Sequence, residues 1–181
     1  MKLNKNNYFS LEANKYYMSV SQYKGFISCE GREMAKLNNK WTQEETDALL
    51  VGRYAHAWNE GVLDEFKKDN PQLFFLSGPK AGELKKRYEI ADKVIDVIDN
   101  DELLRLSLSG EKEVIFTAEL FGIPWKILID SYAYDDHRFG DLKVLKSLYD
   151  KFWDKETSSY KNVFEYRGYF TQMAVYCEIE R

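Results

Sequence analysis

Apolar residues recur every three or four positions in the first hundred residues, which is the spacing of amphipathic helices. The clearest apolar stripe consists of Leu49, Leu50, Tyr54, Trp58, Val62 and Phe66. Thr42-Gln-Glu-Glu45 forms a capping box ahead of this stripe. One helix is therefore predicted from the capping box to about Lys68.

Two more helices are predicted on the same grounds. One covers 22–36 and is capped by Ser19 or Ser21, because a serine hydroxyl can accept a hydrogen bond from a free N–H of the first turn. The other covers 82–99. Residues 1–18 are predicted to be irregular.

The period changes after residue 110. Three strands are predicted at 113–120, 125–134 and 138–145, separated by turns rich in Gly, Pro and Asp. A helix is predicted at 163–181, with Phe170 among its core positions. Helices, then a three-stranded meander, then a helix predict an α/β (α+β) fold with a small sheet flanked by helices. No linker or repeat interrupts the chain, so a single domain, 1–181, is predicted.

Composition narrows the class of protein. Hydrophobic residues make up 44% and charged residues 31%, which is typical of a soluble globular domain. The two cysteines have no metal-ligand spacing, and no apolar run is long enough for a signal peptide or a membrane span. A cytoplasmic protein that does not enter a membrane is therefore expected.

Charge leaves nucleic-acid binding open. The formal net charge of −4 counts mildly against it, but acidic residues gathered around a cation would account for part of that charge. Lys and Arg cluster at 80–87 and again at 143–161. Each cluster is either a set of contacts to DNA or a solvated face. Aromatic residues reach 15%, which fits either an aromatic core or a platform for bases.

The candidate chemistry lies on the second and third predicted strands. Asp130 ends the apolar run Ile127-Leu-Ile, and Asp141 and Lys143 follow Gly140. Neighbouring positions on paired strands lie roughly 5 Å apart, close enough for two carboxylates to share Mg²⁺, which prefers oxygen ligands. Lys143 would share a strand face with Asp141 and could orient an attacking water and offset charge on a phosphate.

The acidic-x-Lys triplet by itself has little specificity. Glu65-Phe-Lys67 and Glu83-Leu-Lys85 also match it, but both lie on predicted helices. Only Asp141-Leu-Lys143 follows a strand that carries another aspartate. The alternative, that Asp130 and Asp141 are surface or turn carboxylates, stays open.

Four other residues are candidates. His56 lies within a predicted helix and Glu113 opens the first strand, although a structural or exposed role is common for such residues. Gln172 and Tyr176 share a helix face because they are four positions apart. Ordinary amphipathic packing is the alternative for this pair.

Taken in order, these residues resemble the RecB-like branch of the PD-(D/E)XK nuclease superfamily, in particular phage and prophage exonucleases of the exodeoxyribonuclease VIII type. The matching motifs are Ser19-Val-Ser21, Leu50-Val-Gly52-Arg-Tyr-Ala-His56, Gly122-Ile-Pro-Trp-Lys-Ile-Leu-Ile-Asp130, Asp141-Leu-Lys143 and Gln172-Met-Ala-Val-Tyr176. The resemblance covers about 16–178 and implies a restriction-endonuclease-like core preceded by a helical part.

The resemblance implies a role for each matching position. Asp130 would be the central metal ligand, joined by Asp141, the backbone carbonyl of Leu142 and His56. Lys143 would position or activate the attacking water. The cofactor would be Mg²⁺, with Mn²⁺ as a substitute.

The remaining matches are implied to be supporting residues. Gln172 and Tyr176 would steady the site or touch the DNA backbone, and Glu113 would ligate or orient at the first strand. Two features depart from the family: Val144 stands where relatives have Thr, and relatives continue beyond the glutamine helix. A chain truncated at its C-terminus is expected on that basis.

The implied reaction is metal-assisted hydrolysis of double-stranded DNA from an end, in phage recombination or repair. A phage single-strand annealing protein would be the partner, and a homo-oligomer is left open. Two alternatives compete: a catalytically inactive or truncated DNA-binding member of the fold, and a phage structural or interaction protein.

Overall fold

The computed structural model describes residues 1–181. It contains eight α-helices: Leu11–Tyr16 (α1), Val20–Leu37 (α2), Asp47–Asn59 (α3), Leu63–Asp69 (α4), Glu89–Asn100 (α5), Glu102–Ser107 (α6), Val163–Tyr166 (α7) and Tyr169–Glu180 (α8). It contains five strands: Glu111–Leu120 (β1), Ile123–Ala133 (β2), Arg138–Gly140 (β3), Lys151–Asp154 (β4) and Ser159–Asn162 (β5). The predicted mixed α/β class is confirmed.

The main sheet has three strands in the order β1-β2-β3. β2 pairs antiparallel with β3, and the register places Ser131 opposite Gly140 and Ala133 opposite Arg138. Phe121 and Gly122, with φ of 56° and 73°, make the tight turn between β1 and β2. The predicted meander is therefore present. The separate hairpin β4–β5 was not predicted, because its strands are short and largely polar.

The helix predicted from Thr42 to Lys68 is two helices. Thr46 is the N-cap of α3, and its hydroxyl accepts a hydrogen bond from the N–H of Leu49 at 3.3 Å. The chain breaks after Asn59 because Gly61 adopts φ 79°, a left-handed conformation that favours glycine. α4 then starts at Leu63. The predicted capping box at Thr42 was wrong.

Other boundaries also differ from the predictions. Residues 82–88 precede α5 rather than belonging to it, and α1 lies in the stretch predicted to be irregular. The C-terminal helix is divided at Gly168, with φ 64°, and Phe170 is exposed rather than in the core. By contrast, Ser19 caps α2 in a full capping box with Gln22, as predicted.

The chain divides into two compact units. The first consists of 1–43, 115–128 and 145–181, and the second of 44–114 and 129–144. In the second unit the core packs α3 against α5 through Leu50, Tyr54, Leu73, Tyr88, Ala91 and Ile95. In the first unit Trp125 and Val20 are buried. The single-domain reading stays a prediction, and no helix has the length and apolar character needed to cross a membrane.

Candidate functional site

His56, Asp130, Asp141 and Lys143 all lie in the second unit. His56 is in the last turn of α3, and Asp130 lies near the end of β2. Asp141 and Lys143, however, follow the end of β3, so the predicted third strand at 138–145 was wrong beyond Gly140.

The strand ends early because a side chain replaces a main-chain partner. The last β2–β3 pair is Ser131 with Gly140. Two positions after Gly140, the N–H of Leu142 donates to Oδ2 of Asp130 at 2.7 Å. The carboxylate thus satisfies a backbone donor at the point where the chain leaves the sheet.

The Asp130 carboxylate is nearly buried, with 8% of the residue exposed. Its second oxygen, Oδ1, lies 3.5 Å from Nδ1 of His56. Burial lowers the pKa of His56, but the hydrogen bond and the charge of Asp130 outweigh burial, so the pKa lies above its usual value. The imidazole and Asp130 therefore form an electrostatically coupled pair.

Asp141 lies close to both His56 and Asp130. Burial raises the pKa of Asp141; the neighbouring Lys143 ammonium opposes that shift, and the charge of Asp130 adds to it. Lys143 forms an ion pair with Oδ2 of Asp141. Two acids, one imidazole and one ammonium, all candidates from the sequence, thus lie together; their roles stay a prediction.

A buried polar network behind Asp130 was not predicted. The side-chain amide of Asn59 donates to the backbone carbonyl of Asp130 at 3.2 Å and to Oγ of Ser131 at 3.3 Å. The Lys112 ammonium donates to Oδ1 of Asn59 at 2.8 Å and to Oγ of Ser131 at 2.9 Å. This network fixes the end of β2 against α3. Its one sequence signal was Asn59, a polar residue one turn after His56.

Glu113 belongs to a second acidic pair with Glu60. Its backbone is left-handed, with φ 57° inside β1, a conformation that is uncommon for a non-glycine residue and redirects a strand side chain. Burial, then the charge and hydrogen bond of Glu113, raise the pKa of Glu60; His56 opposes this shift, Asp130 adds to it, and the resulting pKa is about 7. Glu60 was not singled out in the sequence, where it lies inside a longer predicted helix, because only the fold brings it to Glu113.

Gln172 and Tyr176 belong to the first unit and are described with it. Both are buried on the same face of α8. The hydroxyl of Tyr176 donates to the carbonyl of Leu128 in β2 at 3.1 Å. This hydrogen bond of Tyr176 therefore anchors the part of β2 that belongs to the first unit.

The donor atoms suit a divalent cation. Carboxylate oxygens are the ligands that Mg²⁺ and Mn²⁺ prefer, and an imidazole can join them. As the side chains stand, no group of three His, Cys, Asp or Glu residues is arranged to hold an ion. The reason is visible at the acids: Lys143 engages Asp141, and the N–H of Leu142 engages Asp130. The residue types therefore fit a divalent cation. The Lys143 ammonium already pairs with Asp141, so a cation would compete with it for that carboxylate.

Known proteins support the same fold. A crystal structure from Eubacterium rectale, described as that of a "putative exonuclease", is 45% identical in sequence and superposes with a TM-score of 0.87. The match covers 99% of this chain and 67% of that chain. A search of curated proteins found no significant match. A family model described as a PDDEXK-like domain of unknown function (DUF3799) matches residues 19–181. With nine-tenths of its length matched, the chain belongs to this PDDEXK-like family, and the predicted resemblance to PD-(D/E)XK nucleases is confirmed.

Proposed function

We propose that this protein is a nuclease that hydrolyses phosphodiester bonds in DNA with the help of a divalent cation. The observation that carries the proposal is the meeting of His56, Asp130, Asp141 and Lys143 in one unit of a PDDEXK-like chain. These residue types supply what phosphodiester hydrolysis needs: ligands for a cation and a positive charge close to the phosphate.

Asp130, Asp141 and His56 would hold the cation, with the Leu142 carbonyl as a further oxygen donor. Mg²⁺ is the proposed ion and Mn²⁺ its substitute, because oxygen donors dominate the set. A bound divalent cation supplies positive charge that polarises the phosphate and makes water more acidic.

Lys143 has the most direct chemical role among these residues. Its ammonium is held beside the metal-binding acids by Asp141. From this place beside Asp141, the ammonium would orient the attacking water and offset negative charge that develops on the phosphate. Tyr176 would steady β2 from α8 through its hydrogen bond to the Leu128 carbonyl, and Gln172 would touch the DNA backbone. Glu113 with Glu60 would maintain the acidic surroundings.

The proposed substrate is double-stranded DNA degraded from an end, in phage recombination or repair. The description of the structural relative as an exonuclease and the ordered motifs of the sequence support this choice. A single-strand annealing protein is the proposed partner, the cytoplasm the proposed compartment, and a homo-oligomer a compatible assembly. Affinity should come mostly from phosphate contacts and fall with salt.

A nuclease assay tests the proposal. Linear and circular duplexes are incubated with Mg²⁺, Mn²⁺ or EDTA, and cutting of the linear form alone, lost in EDTA, is expected. Lys143→Ala should slow cutting by about 100- to 1,000-fold while duplex binding is retained. Lys93→Ala removes an exposed lysine of α5, outside both basic clusters, and should leave the rate unchanged. Equal effects of the two substitutions would refute the role of Lys143.

A non-catalytic DNA-binding protein is the second candidate. The observation that favours it is that the acids and the imidazole are not arranged to hold an ion as they stand. In that case the wild type binds duplex DNA but cuts neither substrate with Mg²⁺ or Mn²⁺. Cutting by the wild type and its loss in Lys143→Ala would exclude this candidate.

A further inference from the structure

An open groove in the second unit lies between the end of α4 and the loop that precedes α5. It encloses about 470 Å³, within the range of roughly 300–1,000 Å³ that is usual for small-ligand sites. Lys67 and Lys68 line one part of it, and Phe74, Phe75 and Leu76 line another. No acidic side chain lines the groove.

The groove is held in shape by the backbone. The N–H of Phe75 donates to the carbonyl of Glu83 at 3.0 Å, and the N–H of Gly82 donates to the carbonyl of Phe75 at 2.8 Å. Phe74 packs on the core cluster that contains the fully buried Leu73. The loop is therefore a braced hairpin, and its outer side chains are presented on a fixed support.

Its apolar side chains are open to solvent. Leu76 is 75% exposed and Phe75 36% exposed. The Lys67 ammonium lies 5.3 Å from the centre of the Tyr54 ring, and the side chain of Lys68 is exposed. An exposed ring and two lysines that line the same groove can together bind a base and its phosphates.

We propose that this groove binds unpaired nucleotides of a single DNA strand, with a base against Phe75 and Leu76 and phosphates at Lys67 and Lys68. Charge complementarity selects a polyanion, because the charged side chains of the lining are both lysines. An unpaired strand is selected because a duplex hides the faces of its bases in the stack, whereas a single strand exposes them. The space suits roughly a nucleotide or two.

The inference rests on the proposed nuclease function and deepens it. A nuclease that degrades one strand of a duplex leaves the other strand unpaired, and a stacking groove would retain that strand. The groove lining includes none of the residues proposed to hold the cation, so its binding can be measured without cutting.

The test uses a labelled oligothymidylate and a duplex of the same length, both titrated in EDTA with the full chain. Phe75→Ala should weaken binding of the oligothymidylate about tenfold, whereas Phe75→Tyr, which keeps the ring, should bind nearly as the wild type does. Phe9→Ala, which removes a ring that is 72% exposed in the first unit, is the matched control.

Salt dependence tests the lysines. In the double variant Lys67→Ala/Lys68→Ala, the slope of log affinity against log salt should fall by roughly 0.7 for each lost phosphate contact. Lys93→Ala, an exposed lysine of α5 outside the groove lining, should leave the slope unchanged. Circular dichroism of each variant separates a binding defect from unfolding.

The outcomes separate the two proposals. Unchanged oligothymidylate affinity in both groove variants, or no measurable binding by the wild type, overturns the groove and leaves any observed cutting intact. Groove variants that lose binding in a protein that cuts no DNA support the groove and refute the nuclease. Loss of binding with Phe75→Ala and recovery with Phe75→Tyr, in a protein that also cuts, supports both.

Discussion

The backbone N–H of Leu142 donates to Oδ2 of Asp130 at 2.7 Å, joining the segment after β3 to the end of β2. Because Oδ2 is fixed in this way, Oδ1 faces His56 at 3.5 Å. Position 142 acts here through its main chain, while the Leu142 side chain is buried with Ala55 and Ile98. The bond brings Asp141 and Lys143 to Asp130 without a continuous strand.

Cation binding should depend on His56 more than on the other histidine. We expect His56→Gln to lower the affinity for Mn²⁺ by about tenfold or more, since it removes a proposed ligand. The control is His137→Asn, because His137 is exposed with φ 48°, a conformation that Asn tolerates. Isothermal titration calorimetry with Mn²⁺ measures both. Similar losses in the two variants would speak against His56 as a ligand.

The buried network at Asn59 should contribute to stability. Asn59→Ala leaves the Lys112 ammonium and the Ser131 hydroxyl short of partners and should cost about 1–3 kcal/mol of unfolding free energy. Urea denaturation measures the change. Asn6→Ala, at an exposed position, should stay within about 0.5 kcal/mol of the wild type. If Asn59→Ala behaves like Asn6→Ala, the network does not hold β2.

Glu60 should make stability depend on pH. Its pKa is raised from 4.5 to about 7 in the folded chain, so between those values the folded state binds more protons than the unfolded state. The contribution of Glu60 to the free energy of unfolding should therefore be fully present below about pH 4.5 and should be lost as the pH rises through about 7. Glu60→Gln should flatten this part of the profile, measured by urea denaturation in EDTA. Glu44→Gln, which removes an exposed carboxylate, should keep the wild-type slope.

Two glycines of the second unit should respond oppositely to alanine. Gly110 has φ 107°, and a Cβ there would lie 2.3 Å from the Tyr132 carbonyl oxygen, so Gly110→Ala should destabilise by about 3 kcal/mol. Gly52 is helical, with nothing within 4 Å of its Cβ position, so Gly52→Ala should stabilise by roughly 0.5–1 kcal/mol. Thermal unfolding measures both. A neutral Gly110→Ala would contradict the close approach.

The sequence pattern predicted an element correctly where residues close together in the chain determine that element. Ser19 or Ser21 as a cap predicts the start of α2, which Ser19 caps, and the change of period after residue 110 predicts the meander. The helix predicted from Thr42 to Lys68 was wrong because its apolar stripe continues across Gly61, whose left-handed backbone ends α3. Apolar periodicity indicates which face of a helix is buried, but it does not reveal a single residue whose left-handed backbone ends the helix.

By itself, the sequence determined the mixed helix-and-strand class, the three-stranded meander, the positions of the candidate residues Asp130, Asp141, Lys143 and His56, and the family they resemble. Tertiary structure decided how those positions meet. The Asp130 carboxylate replaces a strand partner for Leu142, Asn59 and Lys112 support β2, and Glu60 pairs with Glu113. Each of these depends on contacts between residues far apart in the chain, and their energies come from burial and hydrogen bonding that spacing along a sequence does not encode.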